Sequence, residues 1–256
     1  MGFFDKLFGN SKKQEETQTK NKVRAQFKDE KYFKGQIERC NRFIASDEKD
    51  DIEYIKQNGK LTAFHYISSA SIRLMKLENY YSVGERKQTI ADLLDETIEF
   101  FIKGFDEGYQ SSGKLLQIVS LSILLDISKE KFNKIINFID IVDKIDIEER
   151  WKPDSLVFFL IGESDKLRKG FNKPNQKLFE ITKLTKLEAE NAINNYLKDW
   201  YSMNKDEPWY NSHLRDHGYS GYWAWEVAAV VKVMGLDDAT FKNNPYYPYD
   251  MVHWKD

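Results

Sequence analysis

Residues 86–104 read RKQTIADLLDETIEFFIKG. Ile90, Leu94, Ile98 and Phe101 fall three or four positions apart, Phe105 continues the series, and Glu96, Glu99 and Lys103 take the other side. That spacing is the single buried stripe of an amphipathic α-helix. Just downstream, residues 115–125, LLQIVSLSILL, are apolar nearly all round and too short to cross a bilayer, which predicts a helix buried at the centre of a bundle. Ser128 is placed to cap a further helix carrying Phe132, Ile135, Ile136, Ile139 and Val142.

The same period continues in both directions. Upstream, Phe33, Ile37, Cys40 and Ile44 mark one helix, and residues 61–77 mark another in which Ser68, Ser69, Ala70 and Ser71 permit close packing and Gly84 supplies the stop. Downstream, WKPD at 151–154 breaks the pattern, with Pro153 suited to the first turn of a helix holding Leu156, Phe158, Phe159 and Leu160. Residues 162–175 are polar, contain Gly170 and Pro174, and read as a long loop or hinge. Leu187, Ala192, Ile193 and Leu197 then form a helix reaching Trp200 and Tyr201, and residues 227–234 form the last strong one. No hairpin turn joins alternating runs. The expectation is an all-α protein, a multi-helix bundle of antiparallel helices.

Two stretches, LLDISKEKF at 124–132 and MGLDDATF at 234–241, each follow an apolar helix with an Asp-containing turn and a Phe. They leave open two related helical halves, although capped helix corners look alike for local reasons. The domain expectation is an amphipathic leader and flexible tether over 1–22, an N-terminal helical domain over 23–150 and a C-terminal one over 151–256. In the leader, Phe3, Phe4, Leu7 and Phe8 share a helical face that fits a membrane surface, a partner, or loose packing on the body. Residues 10–22 contain no apolar side chain, so nothing offsets the entropy of ordering them.

Composition removes several classes of function. The 256 residues include 37 aromatic ones (17 Phe, 14 Tyr, 6 Trp), too many for a disordered chain. With 39 basic and 41 acidic residues the net charge is −2, which lacks the basic footprint of a nucleic-acid binder, so no direct nucleic-acid contact is expected. No run reaches the length of a spanning helix, the start has no signal-peptide cleavage site, and Lys6 breaks the myristoylation pattern. The lone Cys40 cannot form an intrachain disulfide and points to a reducing, cytoplasmic setting.

Catalytic constellations are scarce. There is no Gly-x-Ser-x-Gly elbow, Cys40 sits on an apolar stripe where a thiol is inert, and Gly104, Gly108 and Gly113 lack the Lys-Ser/Thr ending of a phosphate cradle. His213 and His217 stand four apart, with Glu226 nine further on. That spacing admits a metal-dependent enzyme as an alternative, weakened by Gly218 and Gly221 and by the absence of a base between the histidines. His65 and His253 add no metal spacing. No cofactor, catalytic group or metal ligand is assigned. Carboxylate pairs such as Asp95 with Glu99 and Asp140 with Asp143 are ordinary for solvated helix faces.

Acidic clustering carries more. Asp47, Glu48, Asp50 and Asp51, with Glu53 nearby, form one group; Asp92, Asp95, Glu96, Glu99, Asp106 and Glu107 form a second; Asp140, Asp143, Asp146, Glu148 and Glu149 form a third. Such local fields can steer and hold a basic partner.

The C-terminal third is distinctive: GYSGYWAWEVAAVVK at 218–232, GLDD at 235–238 and NPYYPYDMVH at 244–253. This block resembles the C-terminal domain of the PoNi family, bacterial immunity proteins against polymorphic nuclease toxins, and residues from Tyr32 to Cys40 onward resemble that family's N-terminal domain. The likeness spans roughly residues 24–254. It implies a non-enzymatic helical protein that binds and neutralises a cognate antibacterial toxin, often a DNase delivered through a secretion apparatus. Gly221, Trp223, Trp225, Glu226, Asp237, Asp238, Tyr247, Pro248 and Asp250 match the family motif and read mainly as fold determinants, with Glu226 either hydrogen-bonded to the tail or displayed to a partner. Asp47, Glu48, Asp50, Asp51, Asp95, Glu99, Asp140 and Asp143 are the candidate toxin contacts, and the oligomeric state is left open.

Overall fold

A computed structural model describes residues 23–104, 112–144, 152–168 and 172–254. The leader and tether over 1–22 lie outside the described residues, as do Phe105, Asp106, Glu107, Gly108, Asp146, Glu148, Glu149 and Trp151. Ten α-helices and one 3-10 turn make up the described regular structure, with no strand among the described residues.

The first helix, α1 (Glu30–Asn58), starts where the Asp29 carboxylate accepts from the Tyr32 amide at 2.9 Å. Its inward stripe is apolar only at first, through Phe33 and Cys40 with Gln36 between them, and the acidic run 47–53 forms its far half. Helix α2 (Ala63–Val83) returns antiparallel, bringing Tyr54 to His65 and Glu48 to Arg73, and ends at Gly84 with φ of 98°. Helix α3 (Lys87–Lys103) runs back along α2 so closely that a Cβ on Gly104 would lie 2.7 Å from the Ile67 amide nitrogen and 3.0 Å from Tyr66 Cβ. Backbone cannot give way there as a side-chain tip could. Gly104→Ala is therefore expected to cost about 2–3 kcal/mol, as overpacking does. In urea unfolding the midpoint should fall with an unchanged slope, and an unshifted midpoint would disprove the close approach.

Helix α4 (Ser112–Leu124) is the buried centre, with Leu115, Ile118, Val119, Leu121 and Leu124 wholly covered. Helix α5 (Lys129–Lys144) packs on α3, and its start is capped by Ser128 Oγ, 3.4 Å from the Lys131 amide. Helix α6 (Ser155–Leu160) corrects the reading of Pro153. Asp154 is the cap, its Oδ1 accepting from the Leu156 and Val157 amides at 3.1 Å each, so Pro153 precedes the cap instead of occupying the first turn. Part of the expected loop is helical as well: α7 (Lys173–Ile181) begins from an Asn172 cap with Pro174 in its first turn.

Helix α8 (Lys186–Met203) opens with a Thr185/Glu188 capping box. After the 3-10 turn at Ser212–Leu214, α9 (Trp225–Met234) is followed by α10 (Tyr249–Val252) within the NPYYPYDMVH stretch at 244–253. Not all neighbours are antiparallel. Lys232 near the end of α9 reaches the Leu124 carbonyl at the end of α4, while Trp225 and Gln117 both meet Glu78, so α4 and α9 run side by side in one direction.

The two similar corners are the same cap motif. Ile127 donates to the Ser122 carbonyl and Leu236 to the Val231 carbonyl, with Asp126 and Gly235 left-handed between. A 16-residue helix follows the first and turns follow the second, so the likeness is local. One hydrophobic core of described residues runs from Phe33 and Leu74 through α4 into Val227 and Met251, drawing on both the N-terminal and the C-terminal parts of the chain.

Candidate functional site

The GYWAWE block is positioned by α2. Gly221 has φ of 106° and lies against Ser82 and the Trp223 indole. Trp223 Nε1 donates to Ser82 Oγ at 2.9 Å, Ser82 in turn donates to the Ser220 carbonyl at 2.5 Å, and Ser220 donates to Glu78. Gly218 and Tyr219 hydrogen-bond through their amides to Gln36 and Tyr32 of α1. The remaining motif residues close the tail. Asp238 accepts from Tyr247 at 2.8 Å and sits 2.7 Å from His253 Nε2, Asp237 accepts from the Ala239 amide, Pro248 is buried, and Asp250 pairs with Arg24 at 2.7 Å.

Between α2, α4, the end of α8 and the 218–226 segment lies a cleft of about 780 Å³. Trp200 and Trp209 stack in its wall with centroids 5.4 Å apart, and Tyr222, Trp223 and Trp225 complete the aromatic lining. Three carboxylates line it, Glu78, Glu207 and Glu226. Glu226 is neither tied to the tail nor displayed on the outer surface: its Oε1 accepts from Trp200 Nε1 at 2.6 Å, and burial pushes its carboxyl up to about 7. Glu78 is also raised by burial, against hydrogen bonds from Ser220, Gln117 and Trp225 that pull the other way. Among the described residues neither Glu226 nor Glu78 is paired with a Lys or Arg. Burial lowers the ammonium pKa of Lys114, which also lines the cleft.

His213, His217 and Glu226 are not brought together. The 3-10 turn places the His213 ring 2.7 Å from the Tyr222 hydroxyl and stacks it on Phe27 at 4.3 Å, while His217 is exposed. No group of three metal-binding side chains occurs among the described residues. Cys40 is buried, and desolvation pushes its thiol up to about 11, which leaves it protonated and unreactive at neutral pH.

The candidate acidic contacts divide into two kinds. Asp95 pairs with Lys131 and Glu99 with Lys134 at 2.7 Å, tying α3 to α5. Asp140 pairs with Lys166 at 3.3 Å and Asp143 with Arg168 at 2.8 Å, tying α5 to the 161–168 segment. Glu48 and Glu96 flank Arg73, only 4% exposed and stacked 4.1 Å from the Phe100 ring. Asp47, Asp50 and Asp51 on α1 have no ion-pair partner among the described residues. Partial burial, then repulsion from Asp51 and Asp50, holds the Asp47 carboxyl above the usual range. Beside them Ile52 is 58% exposed, Ile55 42% and, at the start of α2, Phe64 54%.

Sequence reasoning missed the cleft, including Glu78, Gln117, Trp200 and Trp209. Glu78 carried one signal, a carboxylate on the stripe of Leu74, Leu77 and Tyr81.

The crystal structure of protein PA2201 from Pseudomonas aeruginosa is similar in fold, with a TM-score of 0.59 and 17% identity over 91% of each chain. A search of curated proteins finds no match. No helix of the described residues is long and apolar enough to cross a membrane. Residues 24–137 match the family described as PoNe immunity protein (PoNi), N-terminal, and residues 153–251 match PoNe immunity proteins (PoNi), C-terminal. With both regions matched in order and joined through one core by the GYWAWE segment, the chain belongs to the PoNi family of immunity proteins, which implies immunity against a polymorphic nuclease toxin.

Proposed function

We propose that the chain neutralises its cognate toxin, a DNase, by stoichiometric binding in the producing cell's cytoplasm, with no catalytic step of its own, and that the far half of α1 is the principal contact. The observation that carries this is the uncommitted charge of Asp47, Asp50 and Asp51, set beside exposed Ile52, Ile55 and Phe64. A DNase must offer a basic surface to DNA, and acidic groups on an inhibitor steer and register on such a surface. The neighbouring apolar side chains supply the desolvated anchors on which affinity concentrates. A cation from the toxin would also relieve the mutual repulsion around Asp47.

Charge reversal separates this tip from the internal pairs. D50K combined with D51K is expected to weaken toxin affinity by about 100-fold or more, equivalent to 2–3 kcal/mol, with thermal stability unchanged. D95K combined with E99K should instead lower stability and leave the affinity of the folded fraction near wild type. Co-expression with the toxin, scored by survival and co-purification, and titration calorimetry provide the readouts. Full protection by D50K/D51K at wild-type affinity would rule the tip out.

A further inference from the structure

We propose that the cleft between α2, α4 and the 218–226 segment is a binding site for an organic cation, a guanidinium or primary ammonium group seated against Glu226 and Glu78 within the tryptophan walls. Its volume of about 780 Å³ lies within the usual range of ligand sites. Three lining carboxylates, Glu78, Glu207 and Glu226, face one lining ammonium, Lys114. A buried carboxylate without a counter-cation is costly, and an incoming cation removes that cost. Half-buried Trp209, stacked on Trp200, together with Tyr222 and Trp225 in the same lining, gives the cleft the aromatic surroundings suited to cation–π contact. Trp200 also fixes the Glu226 carboxylate through its indole N–H. A bare metal ion fits less well, since no three-ligand set occurs among the described residues. The cation has two possible sources, a free amine of the cell or a basic side chain of the toxin. Only the second rests on the function proposed above.

The test uses the full chain and three probes of one shape: n-butylguanidinium, n-butylammonium and neutral n-butanol. Tryptophan fluorescence and calorimetry should show saturable binding of a cation with Kd of about 1 mM or tighter, and binding of the alcohol about tenfold weaker or worse. E226Q should lose about tenfold in cation affinity, while D50K/D51K should lose none. Should E226Q fold poorly, W209L, at a partly exposed wall residue, must show the same loss. Affinity should rise from pH 6 to pH 8 as Glu226 ionises, with Glu78, Glu207, Lys114 and Tyr196 as the other titratable groups facing it. A preformed toxin complex that excludes n-butylguanidinium, and that E226Q weakens, identifies the toxin as the source; a complex that still binds the probe identifies a free amine. Equal binding of alcohol and cation, no saturable binding, or cation affinity unchanged in both E226Q and W209L would overturn the site. Failure of the D50K/D51K prediction would leave these titrations untouched.

Discussion

Gly221→Ala is expected to remove about 3–5 kcal/mol of folding stability, the combined effect of backbone strain and overpacking. The φ of 106° is one that a side chain rarely tolerates, and the added Cβ would lie 2.1 Å from Trp223 Nε1 and 2.5 Å from Ser82 Oγ. Neither neighbour is a free tip: both are buried, and the hydrogen bond between them joins α2 to the C-terminal segment. In a chain of this length the melting temperature should drop by roughly 8–15 °C. Gly218→Ala is the control. Its φ of 87° is similarly left-handed, but nothing lies within 4 Å of the new carbon, so its cost should stay near about 1 kcal/mol. Equal losses at the two positions would show that the clash at Gly221 is absorbed. The difference between the variants, read from urea midpoints, isolates the packing contribution from the dihedral one.

Glu226→Gln should make the protein more stable above neutral pH. In the folded chain the Glu226 carboxyl is raised by burial to about 7, above its ordinary value of 4.5. A raised carboxyl binds its proton more tightly when folded, so its contribution is full below about pH 4.5 and is lost as pH rises through about 7. The loss is on the order of 3 kcal/mol at 1.36 kcal/mol per unit. Glu78, also raised by burial, adds to the same slope. The glutamine keeps an oxygen for Trp200 Nε1 and does not ionise. At pH 8 the variant should therefore exceed wild type by about 2–3 kcal/mol, and at about pH 4 the two should nearly coincide. The readout is the wild-type-minus-variant difference across pH, in which the other titrating groups cancel. Parallel curves would refute the buried-charge reading. A natural residue that lowers stability at working pH fits a carboxylate retained for binding.

Much of this architecture was open to periodicity. The stripe of α3 is strict enough that burial could be assigned side chain by side chain, α4 was legible as a helix covered nearly all round, and Gly84 ends α2 as its position implied. Local punctuation was the weak point. Pro153 and Pro174 were both read by type, yet one precedes a cap and the other sits inside a first turn, and the choice rests on which neighbour, Asp154 or Asn172, captures the free amides. The acidic groups were visible as composition but not as chemistry. Lys131, Lys134, Lys166 and Arg168 neutralise their partners from 25 to 36 residues away, a pairing that only tertiary packing creates. The cleft was hidden for the same reason. Glu226 and Trp200 are 26 positions apart, and Glu78 meets Ser220 across 142.

The pairing of Arg24 with Asp250, reinforced by the guanidinium lying 5.1 Å from the Trp254 ring and 4.8 Å from that of Tyr81, has a topological consequence. The first and last parts of the described body are held side by side near the start of α1, whereas the acidic tip lies roughly 30 Å along that helix at 1.5 Å per residue. A short peptide spliced between residues 24 and 250 would span almost no distance. The body is thus suited to circular permutation, with new termini opened in a surface connection such as 59–62 or 205–211. Cutting at 59–62 would free the tip of α1 from its return strand of chain, and cutting at 205–211 would open the cleft wall instead, so the two permutants divide the surface into independently addressable ends.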